Sequence, residues 1–147
     1  MEEKTTSTIK IKPRFYVDKE CNWFQDGKPI THKRIYIYNY QNLIKDNDLF
    51  YVSEGNSKAY VYFEDKPFIV KRVNYIGDKI IILLNDFTEE ELDMESLYFS
   101  KNIPYCMVKD KKFEAKFSRA ALFQLSEKIN EKDGKFILLN NLINIKN

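Results

Sequence analysis

Four runs decide the fold: Leu49-Phe50-Tyr51-Val52, Ala59-Tyr60-Val61-Tyr62-Phe63, Phe68-Ile69-Val70-Lys71-Arg72-Val73 and Ile80-Ile81-Ile82-Leu83-Leu84. Each has the length of a strand and is rich in β-branched and aromatic side chains, and Gly55, Pro67 and Gly77-Asp78 punctuate them as turns. Consecutive strands joined by short turns predict an antiparallel meander. Upstream, Arg14 to Asp18 and Asn22-Trp23-Phe24 read as a hairpin around Lys19-Glu20-Cys21, with Asp26-Gly27 as the next tight turn. His32 to Asp48 supports either period, because Ile35-Tyr36-Ile37-Tyr38 alternates like a strand while Tyr36, Ile37, Tyr40, Leu43 and Ile44 make a helical stripe. Its length and its polar ending, Lys45 to Asp48, favour a helix.

Downstream, the acidic stretch Thr88 to Glu95 has too few apolar positions for a long helix and is expected to be a loop with one helical turn capped by Thr88. Leu97-Tyr98-Phe99 is a short strand, and Tyr105 to Val108 with Lys112 to Ala115 a hairpin around Lys109-Asp110-Lys111. Ser118 to Glu131 is the clearest helix: Ala121, Leu122, Leu125 and Ile129 share a face, and Asp133-Gly134 closes it. Lys135 to Leu139 returns as a strand. The two ends of the chain echo each other: Tyr16-Val17, Trp23-Phe24, helix and Leu49 to Val52 match Met107-Val108, Phe113-Glu114, helix and Lys135 to Leu138. The fold class expected is therefore α+β, with two similar small sub-domains of hairpin, helix and strand and antiparallel sheets. Residues 1–11 form a frayed start, 12–75 the first repeat and 76–147 the second, within a single compact unit.

Composition bounds function mainly by exclusion. The 147 residues carry 24 basic and 22 acidic side chains, interleaved rather than blocked, so the net charge of +2 gives only a weak long-range field toward nucleic acid or an anionic membrane. One His, two distant Cys without a C-x-x-C motif, and four isolated Gly leave no zinc set, redox pair or phosphate loop. No metal and no cofactor are expected. The longest strongly apolar run, Ile80 to Leu84, is far below membrane-spanning length and the first residues have no apolar leader-like segment, so a cytoplasmic protein is expected.

Several motifs together carry a resemblance. Asn22-Trp23-Phe24-Gln25-Asp26-Gly27-Lys28-Pro29-Ile30, Glu64-Asp65-Lys66-Pro67-Phe68, Pro104-Tyr105 with Val108, and Glu114-Ala115-Lys116 with Ser118-Arg119-Ala120 follow in an order and spacing that resemble a bacterial family, domain-of-unknown-function family 1285. Lys116 stands where that family usually has Arg, and the segment after Gly134 lacks its Gly- and Trp-bearing tail. The resemblance implies an α+β fold of two similar repeats, a part in signalling or ligand sensing, and no established active site.

Candidate ligand-binding residues are Trp23, Glu64, Asp65, Glu114, Lys116 and Arg119. Trp23 could stack on a ligand, although a hairpin Trp followed by Phe more often anchors a core. The acids of Glu64-Asp65 could meet Lys116 or Arg119 in a charged pocket, or fix packing as an ion pair. His32 without a nearby nucleophile reads as a surface or capping residue, and Cys106 as core filler. The Tyr-rich stretch Tyr36, Tyr38, Tyr40 and Tyr51 with Lys33, Arg34 and Lys45 is a minority signal for single-stranded nucleic acid. The expectation is a binding or interaction module for a protein or small ligand, without catalysis. The alternatives are an enzyme with a carboxylate and Arg119 or Lys116 in a cleft, and a weak single-strand binder.

Overall fold

The computed structural model describes residues 12–146, so the expected frayed start, residues 1–11, lies outside the described residues. The chain divides into two compact units, Met1–Asp65 and Lys66–Asn147. A boundary after residue 75 would cut a continuous nine-residue strand, Phe68–Ile76, that belongs wholly to the second unit.

The first unit holds strands β1 (Phe15–Val17), β2 (Trp23–Gln25), β3 (Lys28–Pro29), helix α1 (Lys33–Gln41), and β4 (Leu43–Asp46), β5 (Leu49–Glu54) and β6 (Ser57–Phe63). They form one sheet in the order β3-β2-β1-β6-β5-β4. All neighbours are antiparallel except β1 and β6, whose parallel register sets Phe15 opposite Val61 and Val17 opposite Phe63. Alternation along the strands turns Phe15, Val17, Trp23, Val52, Ala59 and Val61 to the buried face. Trp23 is the hub there, edge-on to Phe15, Tyr40 and Phe63 at 5.8, 5.1 and 5.7 Å between ring centroids. His32 caps α1, its Nδ1 accepting from the Arg34 N–H at 3.3 Å.

The second unit holds β7 (Phe68–Ile76), β8 (Lys79–Leu84), β9 (Glu89–Glu91), a 3-10 turn (Met94–Ser96), β10 (Tyr98–Ser100), β11 (Ile103–Val108), β12 (Phe113–Phe117), helix α2 (Arg119–Ser126), β13 (Ile129–Lys132), β14 (Lys135–Leu138), β15 (Asn141–Leu142) and β16 (Asn144–Lys146). Seven strands order as β16-β10-β11-β12-β7-β8-β9 and three more as β13-β14-β15. Two pairs are parallel, β10 with β16 and β12 with β7. The parallel run of β12 on β7 ends at Phe117 opposite Val70, where β7 shifts register between Val70 and Arg72. Helix α2 takes over the edge that β12 leaves. Ser118 caps it, accepting from the Ala121 N–H at 3.1 Å, and Gln124 Oε1 accepts the Val73 N–H at 2.7 Å. Ala121 and Leu125 are fully buried on the same side.

The α+β class holds, with more sheet than helix and with mixed rather than purely antiparallel sheets: three pairs run parallel because β1, β10 and β12 each gain a partner distant in sequence. Both helices are shorter than their stripes suggest. Leu43 to Asp46 pairs with Leu49 to Val52 around a turn where Asn47 has φ 56°, so strand pairing overrides the helical reading of Ile44 and Lys45. Likewise Ile129 to Lys132 pairs with Lys135 to Leu138, and Asp133-Gly134, at φ 55° and 77°, is the two-residue turn of a hairpin and not the end of a helix. The acidic stretch contains β9 and a 3-10 turn; the Thr88 hydroxyl donates to Asp86 at 2.6 Å and caps no helix.

Candidate functional site

Four exposed large apolar side chains of the second unit, Phe123, Phe136, Leu142 and Ile145, are carried by α2 and the strands after it and are 61, 40, 64 and 54% exposed, while Ile76, Phe87 and Ile103 are exposed on β7, the β8–β9 turn and β11. Beside the first four lies a groove of about 560 Å³. Helix α2, with Ala121, Gln124 and Leu125 committed to β7 and the core, presents Leu122, Phe123 and Ser126 to this groove. The opposite wall is Phe99 with the turn residues Lys101 and Asn102, and the strands after α2 contribute Ile129, Glu131 and Phe136. Ile143, Ile145 and Lys146 complete it. The groove opens where the last strand passes from one sheet to the other: Asn141-Leu142 pair with β14, Asn144 to Lys146 pair with β10, and the buried Ile143 stands between. Such a volume, mostly apolar with a few polar groups at its rim, is the usual form of a small-molecule site.

A second cavity of similar volume, lined by Gly77-Asp78, Glu91 and Leu139 to Asn141 among others, is the more polar of the two. Neither cavity is lined by Trp23, Glu64, Asp65, Glu114, Lys116 or Arg119. Trp23 is 3% exposed in the first unit's core. Glu64 accepts from the Tyr16 hydroxyl at 2.9 Å and the Lys19 N–H at 3.2 Å, and this bond holds the Tyr16 phenol above its ordinary range. Glu114 pairs with Lys66 at 3.0 Å and accepts from Tyr98 at 3.4 Å. Lys116 shares Glu114's face of β12, two residues along, opposite Tyr105. Arg119 begins α2, its guanidinium 5.5 Å from the Phe123 ring centroid, so it adjoins the groove without lining it. Of the tyrosines, Tyr40 is buried, Tyr38 is exposed and Tyr51 packs on Tyr60 of the neighbouring strand, so they share no single face.

The densest charge cluster is a brace. Buried Asp86 accepts from Thr88 through both N–H and hydroxyl and from Lys109 Nζ at 2.8 Å, while Glu90 accepts the Lys109 N–H. Lys111 bridges Asp93 and Glu95 at 3.2 and 3.1 Å. Lys109, Asp110 and Lys111 all have positive φ, and this strained hairpin tip is held by the acidic arm beside it. Burial pushes the Glu90 carboxyl up despite Lys109, and pushes the Cys106 thiol up strongly. Among the described residues no group of three or more His, Cys, Asp or Glu could hold a metal ion, and no helix is long and apolar enough to cross a membrane.

No protein-family model and no curated protein matches the sequence. Solved structures do. A DUF1285 family protein from Silicibacter pomeroyi DSS-3 superposes with a TM-score of 0.73 at 18% identity, covering 90% of this chain and 79% of that one. A DUF1285 family protein from Shewanella baltica OS155 gives 0.70 at 15% identity, covering 80% of this chain and 94% of that one. The chain has the DUF1285 fold. Both matches cover too much of this chain to fit within either unit alone, so the DUF1285 likeness takes in residues of both. No single stretch of the sequence contains the groove. Within the DUF1285 fold of this chain its lining comes from α2 and five strands or turns spread from Phe99 to Lys146, and the one local sign was Phe123, an aromatic off the buried stripe of α2.

Proposed function

We propose that this chain is a ligand-binding module, acting in ligand sensing or signalling, with the groove of the second unit as its binding site and no catalytic step assigned to it. The observation that carries this reading is an apolar concavity of about 560 Å³ lined in part by the exposed side chains of Phe123, Phe136 and Ile145. The lining pairs no nucleophile with a base, since the Ser126 hydroxyl donates to the Leu122 carbonyl at 2.8 Å. Of the residues singled out from the sequence, Arg119 adjoins this site through Phe123. Amide shifts on titration with a mixture of small apolar and amphipathic compounds test it: they should map to Phe99, Phe123 and Ile145 and vanish in Ser126→Phe, which fills the groove. Shifts that leave these residues untouched refute it.

We infer further that two copies of one chain path underlie the fold. In the first, β1–β2–β3 is antiparallel, α1 follows, β4–β5–β6 is a meander, and β6 lies parallel on β1. In the second, β10–β11–β12, α2, β13–β14–β15 and the parallel β16 on β10 follow the same sequence of steps. These pairings favour a repeat that equates β1 with β10, one strand earlier than the match of Tyr16-Val17 to Met107-Val108, and leave β7 to β9 outside it.

A further inference from the structure

We propose that the outer face of the first unit's sheet packs on the same face of a second copy of this chain, in a weak two-fold dimer registered by Lys58 and Glu64. Alternation turns Ala59 and Val61 of β6 to the core, so Lys58, Tyr60 and Tyr62 stand on the other side of the sheet. Glu64 continues that row, as the hydrogen bond it accepts from the Tyr16 hydroxyl shows. Cross-strand register widens the face. Phe24 is opposite Tyr16 and Tyr16 opposite Tyr62, with the Tyr16 ring centroid 6.1 Å from Phe24 and 5.6 Å from Tyr62. Two residues along, Tyr60 is opposite Tyr51, and Tyr51 opposite Ile44. The face is therefore aromatic and apolar from β2 to β4. On it Tyr16, Ile44, Leu49 and Tyr62 are 41, 39, 47 and 51% exposed, whereas this unit's other exposed large apolar side chains, Ile35 and Tyr38, lie on α1. None of the face's residues lines either cavity, and a broad sheet face suits a second sheet better than a small molecule.

Area sets the strength. Those exposures, with the half-buried rings beside them, leave roughly 500 Å² open on each copy. Two facing copies would bury about 1,000 Å² in total, the lower bound for a specific interface, which predicts a Kd on the order of tens of micromolar. Self-complementarity selects the partner. Lys58 and Glu64 lie three residues to either side of Val61 on one strand, about 20 Å apart by strand rise. A half-turn about an axis that crosses the strands at Val61 sets Lys58 of each copy against Glu64 of the other, and Tyr60 against Tyr62. Both charges are placed for this. The Lys58 ammonium rests 4.6 Å from the Tyr51 ring centroid and meets no carboxylate among the described residues. Glu64 accepts on Oε1, from Tyr16 and from the Lys19 N–H, and among the described residues nothing donates to its Oε2. The β6 row thus carries one cation and one carboxylate, which offers no net charge to a phosphate backbone or an anionic membrane and is matched by a surface bearing the same pair reversed.

The test is sedimentation equilibrium of the full chain from about 5 µM to about 500 µM, where the parent should pass from monomer to dimer. Lys58→Glu and Glu64→Lys each set two like-charge pairs across the axis and should weaken self-association about tenfold. An equimolar mixture of the two variants restores both opposite-charge pairs and should associate within about threefold of the parent. Rescue on mixing cannot come from a misfolded chain, so the mixture decides even where one substitution lowers stability. Tyr62→Glu, at the middle of the face, should leave only monomer. A parent that stays monomeric throughout, including one that instead binds an oligothymidylate or anionic vesicles, overturns the proposal. So does a dimer that Tyr62→Glu leaves intact, or a mixture no tighter than either variant alone.

Discussion

The Val73–Gln124 hydrogen bond fixes how α2 sits on β7, and so which of its side chains face the groove. Beyond Val70, β7 has no strand on the β12 side, and the Val73 N–H, turned away from β8, is satisfied by the Gln124 amide oxygen at 2.7 Å. Gln124→Leu keeps the volume and helix propensity but removes the acceptor. A half-buried donor left without a partner costs about 1–3 kcal/mol, and partial exposure places this one near the middle, about 1.5–2 kcal/mol. With a urea slope of about 1–3 kcal/mol per molar, the midpoint falls by roughly 1 M. Gln124→Glu retains an oxygen acceptor and should lose less than about 1 kcal/mol at neutral pH. Urea titration by far-ultraviolet circular dichroism gives the midpoints, and native-state hydrogen exchange of the Val73 amide reads the bond itself. A Leu variant with an unchanged midpoint, or Val73 protection that survives the loss of the acceptor, refutes the account.

Three other outcomes follow from the second unit. Asp86→Ala removes three hydrogen bonds and strands Lys109, whose side chain is only 29% exposed, at a cost of about 2–4 kcal/mol; a double-mutant cycle with Lys109→Met should return a coupling above about 1 kcal/mol, and near-additive losses count against the brace. Glu90 is raised by burial, so its folded pKa exceeds its unfolded one: the stability it contributes is present at acid pH and lost as pH rises through the folded value. Glu90→Gln should therefore stabilise at pH 7 and be neutral near pH 4, as urea midpoints at the two pH values would show, and equal effects at both contradict the burial argument. Cys106 is 1% exposed with its thiol pushed well up, while Cys21 is half-buried in a turn, so a thiol reagent at pH 8 should label Cys21 in the folded chain and Cys106 only after unfolding; comparable rates at the two positions refute this.

Local signals were legible where they concerned one element and misleading where two periods overlapped. Leu49 to Leu84 reads as strands because each run is short, β-branched and bounded by a turn residue, and all four runs are strands. Ile129 continues the stripe of Ala121 and Leu125, yet the Asp133-Gly134 pair is also a hairpin signal, and pairing across it supplies backbone bonds that a last helical turn would leave open. Trp23 is legible as a core anchor because a large ring at the start of a strand has few other places to go. The parallel pairs had no such sign. Phe15 and Val61, or Tyr98 and Asn144, meet only because the whole chain between them has folded, and no window of local sequence contains both partners.

The same non-local step decides why one copy of the proposed repeat has a filled core and the other a groove. In the first unit Val61 is registered with Phe50 on one side and Phe15 on the other, so β6 joins meander and hairpin into one sheet. In the second no residue is shared: β15 ends its ladder at Leu142, β16 begins at Asn144, and the sheet parts at Ile143. Where the first sheet is continuous, the rings of Trp23, Tyr40, Phe50 and Phe63 pack against one another at 5.0–5.7 Å between centroids. At the break in the second, Phe123 and Phe136 remain exposed beside open volume. Reversing that difference is a direct test: Ser126→Phe, set against Phe123 and Phe136, should raise stability by about 1 kcal/mol through added burial while abolishing ligand binding. A variant that loses both stability and binding would mean that the break is already close-packed, and the argument that the groove arises from the divided sheet would fail.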